Sequence, residues 1–282
     1  MEPDRLAIVL RALIYVGCIA SAGGVLFWLS FPAAARHLEG SLKRQILVGC
    51  WLILLLEPLR YLAFQLTAAE GDWSAAFAPD MRWMAMETGF GKAAVVRAIA
   101  AAAMLATKLR WRGVSLAAAV TMVASFATEG HTVNGGSPTA RGALLLVHLA
   151  AICWWLGALY PLLVTLRQAP PEVGTVTIQT FGRRAVWIVG ALLIAGALLL
   201  ISLTGGQLNL DNDYQQRFAR KLILVAILLA VAAWNKLQLT PLLATDYEAG
   251  ARKLRRSIKG EIAIAAMILA ATAWIITVSP HA

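Results

Sequence analysis

Four histidines occur among the 282 residues, and two stand where an imidazole can do chemistry. His148 lies inside the apolar run Arg141–Leu166. An ionisable group in a membrane helix is costly and is a functional candidate by default. Ser137-Pro138 reads as a helix N-cap followed by a first-turn proline. His148 then lies roughly 15 Å into the helix. Ile152 and Trp155 follow at i+4 and i+7 and share its face, whereas Cys153 points elsewhere. The structural alternative is a hydrogen bond from His148 to a neighbouring helix. His131 follows Thr128-Glu129-Gly130 and precedes the turn Asn134-Gly135-Gly136-Ser137. That turn can fold back over the helix carrying His148, placing two imidazoles at one end of the membrane. Imidazole is the commonest metal ligand and suits copper, zinc and iron. Alone, His131 reads as a solvated loop residue, as do His37 and His281. Glu129 beside it reads as an interfacial charge.

Three further groups carry chemistry. Met81, Met84 and Met86 fall within six residues, Met-Arg-Trp-Met-Ala-Met, and thioethers are soft donors suited to Cu(I). Methionine also fills interfacial gaps. Glu57 and Arg60 are spaced i, i+3 and can pair on one face, with Pro58 between them removing a backbone donor. Arg97 belongs at the same end, so a buried Glu–Arg set either braces the structure or relays protons. Cys18, Cys50 and Cys153 sit in apolar runs with no CxxC spacing, which excludes a disulfide framework and a zinc finger. A thiol in a span reads first as packing; Cys50 and Cys153 are the candidates for soft relay ligands.

Only a membrane can house these side chains. The chain is 60% hydrophobic and 14% charged, with mean hydropathy +0.70. Soluble domains are about 45–50% apolar and about 25% charged. A soluble enzyme, a disordered chain and a coiled coil are excluded. Eight apolar runs approach the roughly 20 residues that a spanning helix needs: Leu6–Phe31, Gln45–Leu66, Gly91–Leu109, Val114–His131, Arg141–Leu166, Ala185–Leu203, Phe218–Leu239 and Glu261–Val278. The first has a longer apolar stretch than a signal peptide, and Glu2 and Asp4 spoil a basic leader, so it is expected to be retained. The expected fold is all-α, one eight-span transmembrane domain over residues 1–282.

Basic residues collect in alternate connections. Arg36, Lys43 and Arg44 lie in the first, Lys108, Arg110 and Arg112 in the third, and Arg167, Arg183 and Arg184 in the fifth. The seventh holds Lys236 and the cluster Arg252–Lys259. The whole net charge of +10 falls on that side, which the positive-inside rule makes cytoplasmic. Both termini, the His131 turn and the methionines are then external. The charge is topological and implies lipid, not nucleic acid, as the partner. No Walker motif, dinucleotide fingerprint or HExxH occurs, which argues against ATP-driven pumping and zincin chemistry.

Gly130-His131 followed by His148-Leu-Ala-Ala-Ile-Cys-Trp-Trp-Leu-Gly-Ala-Leu-Tyr-Pro161 resembles the core motif of the CopD copper resistance family. Thr88-Gly-Phe-Gly91 with Arg97, Tyr214 through Lys221, Asn235-Lys236 with Pro241, and Arg255, Ser257 and Glu261 are similar to further segments of that family. The likeness runs from about Thr88 to the C-terminus and is weaker over spans 1 and 2. Ala158 departs from a pattern that commonly has a second glycine after Gly157. The resemblance implies an eight-span bacterial inner-membrane protein with a role in copper homeostasis, for which the external termini given by the charge pattern would be periplasmic. It also implies a separate periplasmic copper-binding partner of the CopC type, copper uptake, and His131 and His148 as the matching histidines. Two readings compete with a non-enzymatic transporter: a membrane redox protein using the histidines for haem b or quinone, and a membrane anchor for a periplasmic copper chaperone.

Overall fold

In a bilayer a spanning backbone must satisfy its own N–H and C=O groups, and long apolar runs do so as helices. The computed structural model describes residues 3–129, 138–205 and 213–275, and every regular element among them is helical. The order is α1 (Pro3–Ser30), α2 (Pro32–His37), α3 (Glu39–Ala68), α4 (Trp73–Ala76), α5 (Pro79–Glu87), α6 (Gly89–Ala106) and α7 (Arg112–Ala124). A 3₁₀ turn, Ser125–Thr128, continues α7. Then come α8 (Pro138–Gln168), α9 (Pro171–Thr204), α10 (Asp213–Trp234), a π-turn (Asn235–Leu239), α11 (Thr240–Thr245) and α12 (Tyr247–Ile275).

Seven of the expected spans are helices long and apolar enough to cross a membrane. The stretch expected as the fourth span is a shorter apolar helix over Arg112–Thr128. Its 17 residues reach about 25 Å, against about 30 Å of hydrocarbon. Two helices begin well before their apolar runs: α9 at Pro171 rather than Ala185, and α12 at Tyr247 rather than Glu261. Hydropathy marks the lipid-embedded part of a helix, not its ends. The cluster Arg252–Lys259 is therefore a helical turn pair rather than a loop.

The first helix, α1, packs against α3, α7, α8 and α12. Lipid offers little hydrophobic drive between helices, so close approach through small residues does the packing. A Cβ on Gly157 would stand 2.5 Å from the Gly23 Cα, and one on Gly49 would stand 2.6 Å from the Gly17 carbonyl oxygen. These contacts set the α1–α8 and α1–α3 crossings; Ala158 is buried beside the first and fits there. Ile14, Phe27, Ile46, Ile53, Met104, Met122 and Leu162 fill the interior. Trp187, Ile194, Ile223 and Trp234 stand exposed on α9 and α10, an apolar surface suited to lipid.

The basic residues bind helix ends. Arg184 donates to the Ser30 carbonyl at 3.0 Å and Arg255 to the Leu166 carbonyl at 3.1 Å. Both carbonyls lie in last turns, where no intrahelical donor is left and cations complement the helix dipole.

Candidate functional site

At the opposite end of the bundle an ionic network joins three elements. Thr88 caps α6 by accepting from the Gly91 N–H at 3.0 Å. Ala93, Ala94, Ala100 and Ala101 keep the buried face of α6 small, so α3 and α7 come close enough for Arg97 to reach both. Its guanidinium donates through Nε to Glu57 on α3 and through Nη2 to Glu129 just after the 3₁₀ turn. Nη1 donates to Ser125 Oγ at 3.2 Å. Arg60 pairs with Glu129 at 3.4 Å and lies 3.9 Å from Glu57, its i−3 neighbour. Phe126 lies under Arg97 and Phe90 under Arg60, at 4.6 and 4.5 Å. Two guanidinium groups and two carboxylates thus balance within a largely buried site. The expected Glu57–Arg60 pair exists, but the stronger partners are across helices. Glu129, still partly exposed, is a full member of the network. Alternating donors and acceptors would suit a proton relay, but the arrangement first holds the chain two residues before His131.

His131 lies outside the described residues, as does Ser137, the expected cap of α8. His148 is half-buried on α8, and its Nδ1 lies 3.1 Å from the Leu192 carbonyl oxygen of α9. A carbonyl only accepts, so Nδ1 carries the proton and the neutral ring keeps its Nε2 lone pair. Gly196, one turn on, makes room: a Cβ there would meet the imidazole at 3.0 Å. A backbone carbonyl holding one ring nitrogen is also the usual support of a metal-binding histidine. Lys221 of α10 is within electrostatic range of His148.

The other candidates divide. Trp155 and Cys153 are both buried on α8, Cys153 on the side facing α1 near Gly23 and Trp155 in the core. Cys50 is buried with its Sγ 3.7 Å from Met104 Sδ. The methionine segment is helix α5, which puts Met81 and Met84 at i, i+3 on one face and turns Met86 away. Met86 faces a surface depression shared with Tyr61, Pro79, Arg82 and Trp83. Met84 and Met86 are exposed and Met81 is half-buried. Among the described residues no group of three His, Cys, Asp or Glu side chains is placed to hold a metal ion.

One constellation was not singled out by spacing. Asn235, in the π-turn, donates through Nδ2 to Glu261 Oε1 on α12 at 2.9 Å, and both side chains are buried. The two are 26 positions apart, and a π-turn leaves no periodicity to read. The signals in the sequence are the family-like segments that hold Asn235 and Glu261 and an acidic residue at the first position of an apolar run.

Comparison with known proteins bears on all of this. The family described as Copper resistance protein D-like, N-terminal domain, matches residues 1–141, and the one described as Copper resistance protein D matches residues 175–275. The first reaches to residue 1, so spans 1 and 2 lie inside the likeness. The His148–Pro161 segment falls between the two. A Copper resistance protein D of Pseudomonas syringae pv. tomato is 26% identical over 306 aligned positions, covering 99% of this chain and 98% of the relative. No solved structure matches the chain significantly. Half of the sequence is matched by one family description and most of the remainder by its companion, over a bundle of long apolar helices: the chain belongs to the copper resistance protein D family.

Proposed function

We propose that this protein receives copper at the external end of the bundle through His148 and His131 and moves it inward between helices. Family membership gives the coarser role, copper homeostasis in a multi-pass membrane protein. The observation that carries the finer reading is His148. Its Nδ1–H is committed to Leu192, which aims a lone pair at Nε2 within an otherwise apolar helix. The ionic network fixes Glu129, which precedes His131 by two residues in the sequence. Met81 and Met84 on one face of α5 suit first capture of Cu(I), with Met86 adding a separate thioether. Cys50 with Met104, and Cys153 deeper on α8, offer soft relay positions.

In this reading all eight apolar stretches cross the bacterial inner membrane. Residues 1–282 act as one domain, non-enzymatically, with both termini periplasmic. A CopC-type periplasmic protein delivers the metal. The test is copper accumulation in cells with and without the protein, beside metal analysis of the purified protein and of a His131→Ala/His148→Ala variant. The reading expects accumulation and bound copper that the double variant loses. A haem Soret band in the purified protein, with no copper bound, would contradict it in favour of redox chemistry.

A further inference from the structure

Two side-chain carboxylates are buried among the described residues, Glu57 and Glu261. Glu57 faces arginines, as does the partly buried Glu129. Glu261 makes no ion pair among the described residues, and its one hydrogen-bond partner is the neutral amide of Asn235. It is 4% exposed, and Asn235 is 8% exposed with its Oδ1 buried and without a partner. Among residues whose side chains are described, the charged or basic groups on elements packed against α12 are Arg11 on α1, Arg141, His148 and Arg167 on α8, Arg217, Arg220 and Lys221 on α10, and Lys236 in the π-turn; α11 carries none. None of them reaches Glu261. On α12 itself Lys259 is exposed and Arg255 is bound to the Leu166 carbonyl.

An ionised carboxylate in a dry site needs a countercharge, and a single neutral donor does not supply one. Protonation removes the demand. Asn235 suits both forms of the carboxyl. Its Nδ2 donates to a carboxylate oxygen; turned over, its Oδ1 accepts from a carboxylic O–H. The π-turn makes this possible by turning Asn235 inward while Trp234, Lys236 and Leu237 stay exposed. Such turns cost helix regularity and recur at functional sites. Glu261 also lies two residues past Lys259, the last of the basic cluster, so the path to water at that end is short.

We infer that Glu261 and Asn235 form a proton-binding site at the basic end of the bundle, separate from the histidine site and standing whether or not copper crosses. A proton from water at that end adds to a Glu261 oxygen, and returns there when the α10–α12 contact opens. A group that changes charge in this way offsets the passage of a cation through an apolar interior.

The experiment is infrared spectroscopy of the purified protein, titrated in pH in sodium and in potassium buffers. The expected result is a carboxylic-acid C=O band that persists at neutral pH. It should disappear in Glu261→Gln, move in frequency in Glu261→Asp, and remain in Glu172→Gln, whose carboxylate is exposed. Asn235→Leu should shift the titration midpoint. The inference is overturned if the wild type shows no such band at neutral pH, or if the band survives unchanged in both Glu261 variants. A midpoint that follows sodium concentration would also overturn it, assigning the site to a metal cation. Should Glu261→Gln fail to fold, the frequency change in Glu261→Asp decides.

Discussion

Arg97 has no route to water, so its charge is sustained by Glu57 and Glu129, which face it from two other elements. Removing it leaves the buried Glu57 and the partly buried Glu129 short of a cation. Arg97→Ala should lose about 3–5 kcal/mol of stability, read as a large fall in melting temperature in detergent. Arg97→Lys should recover only part, because one ammonium cannot reproduce the planar fork spanning Glu57, Ser125 and Glu129. A melting temperature equal to wild type in Arg97→Ala would remove the bracing role. The pairing was half legible. Glu57, Arg60 and Arg97 could be assigned to one end of the bundle from the sequence, since helix spacing and span order fix that. Their actual partners could not, because Arg97 chooses between carboxylates on different helices by distance. The part Glu129 takes in the network is set by the same distances. His148 was legible as a lone imidazole in an apolar run, but its bond to Leu192 depends on how α8 and α9 are rotated.

The helices carry a second set of expectations. Gly157 touches Gly23 where α1 and α8 cross, and any side chain there forces them apart. Gly157→Leu should cost at least the 1–3 kcal/mol typical of overpacking and lower the yield of folded protein; an unchanged melting profile would show that the crossing is adjustable. On α5 the three methionines do not converge, because a helix separates i from i+5. Replacing Met81, Met84 and Met86 together with leucine preserves volume, so copper uptake should weaken mainly at low copper. Met86→Leu alone should do less than the Met81/Met84 pair. Equal copper dependence in the triple variant and wild type would leave the segment a packing element. Apolar runs located seven long helices, yet missed the starts of α9 and α12 by more than three turns. Those extensions mix charged and polar residues with apolar ones, so hydropathy alone does not mark them.

The molecule as a whole is polarised: arginines close the last turns of α1 and α8 at one end, and the Arg97 network closes the other. Reporter fusions after Lys108 and within Arg252–Lys259 should read cytoplasmic. An external signal from the second would invert the orientation and place His148 at the wrong face for periplasmic copper. The central claim, that His148 binds copper, is tested most directly by copper stoichiometry of purified His148→Gln. Glutamine keeps a hydrogen-bond donor for the Leu192 carbonyl and removes the imidazole. The account predicts a folded, membrane-inserted variant that has lost the copper bound by wild type. Wild-type copper content in that folded variant would contradict it and leave His148 a structural bond between α8 and α9.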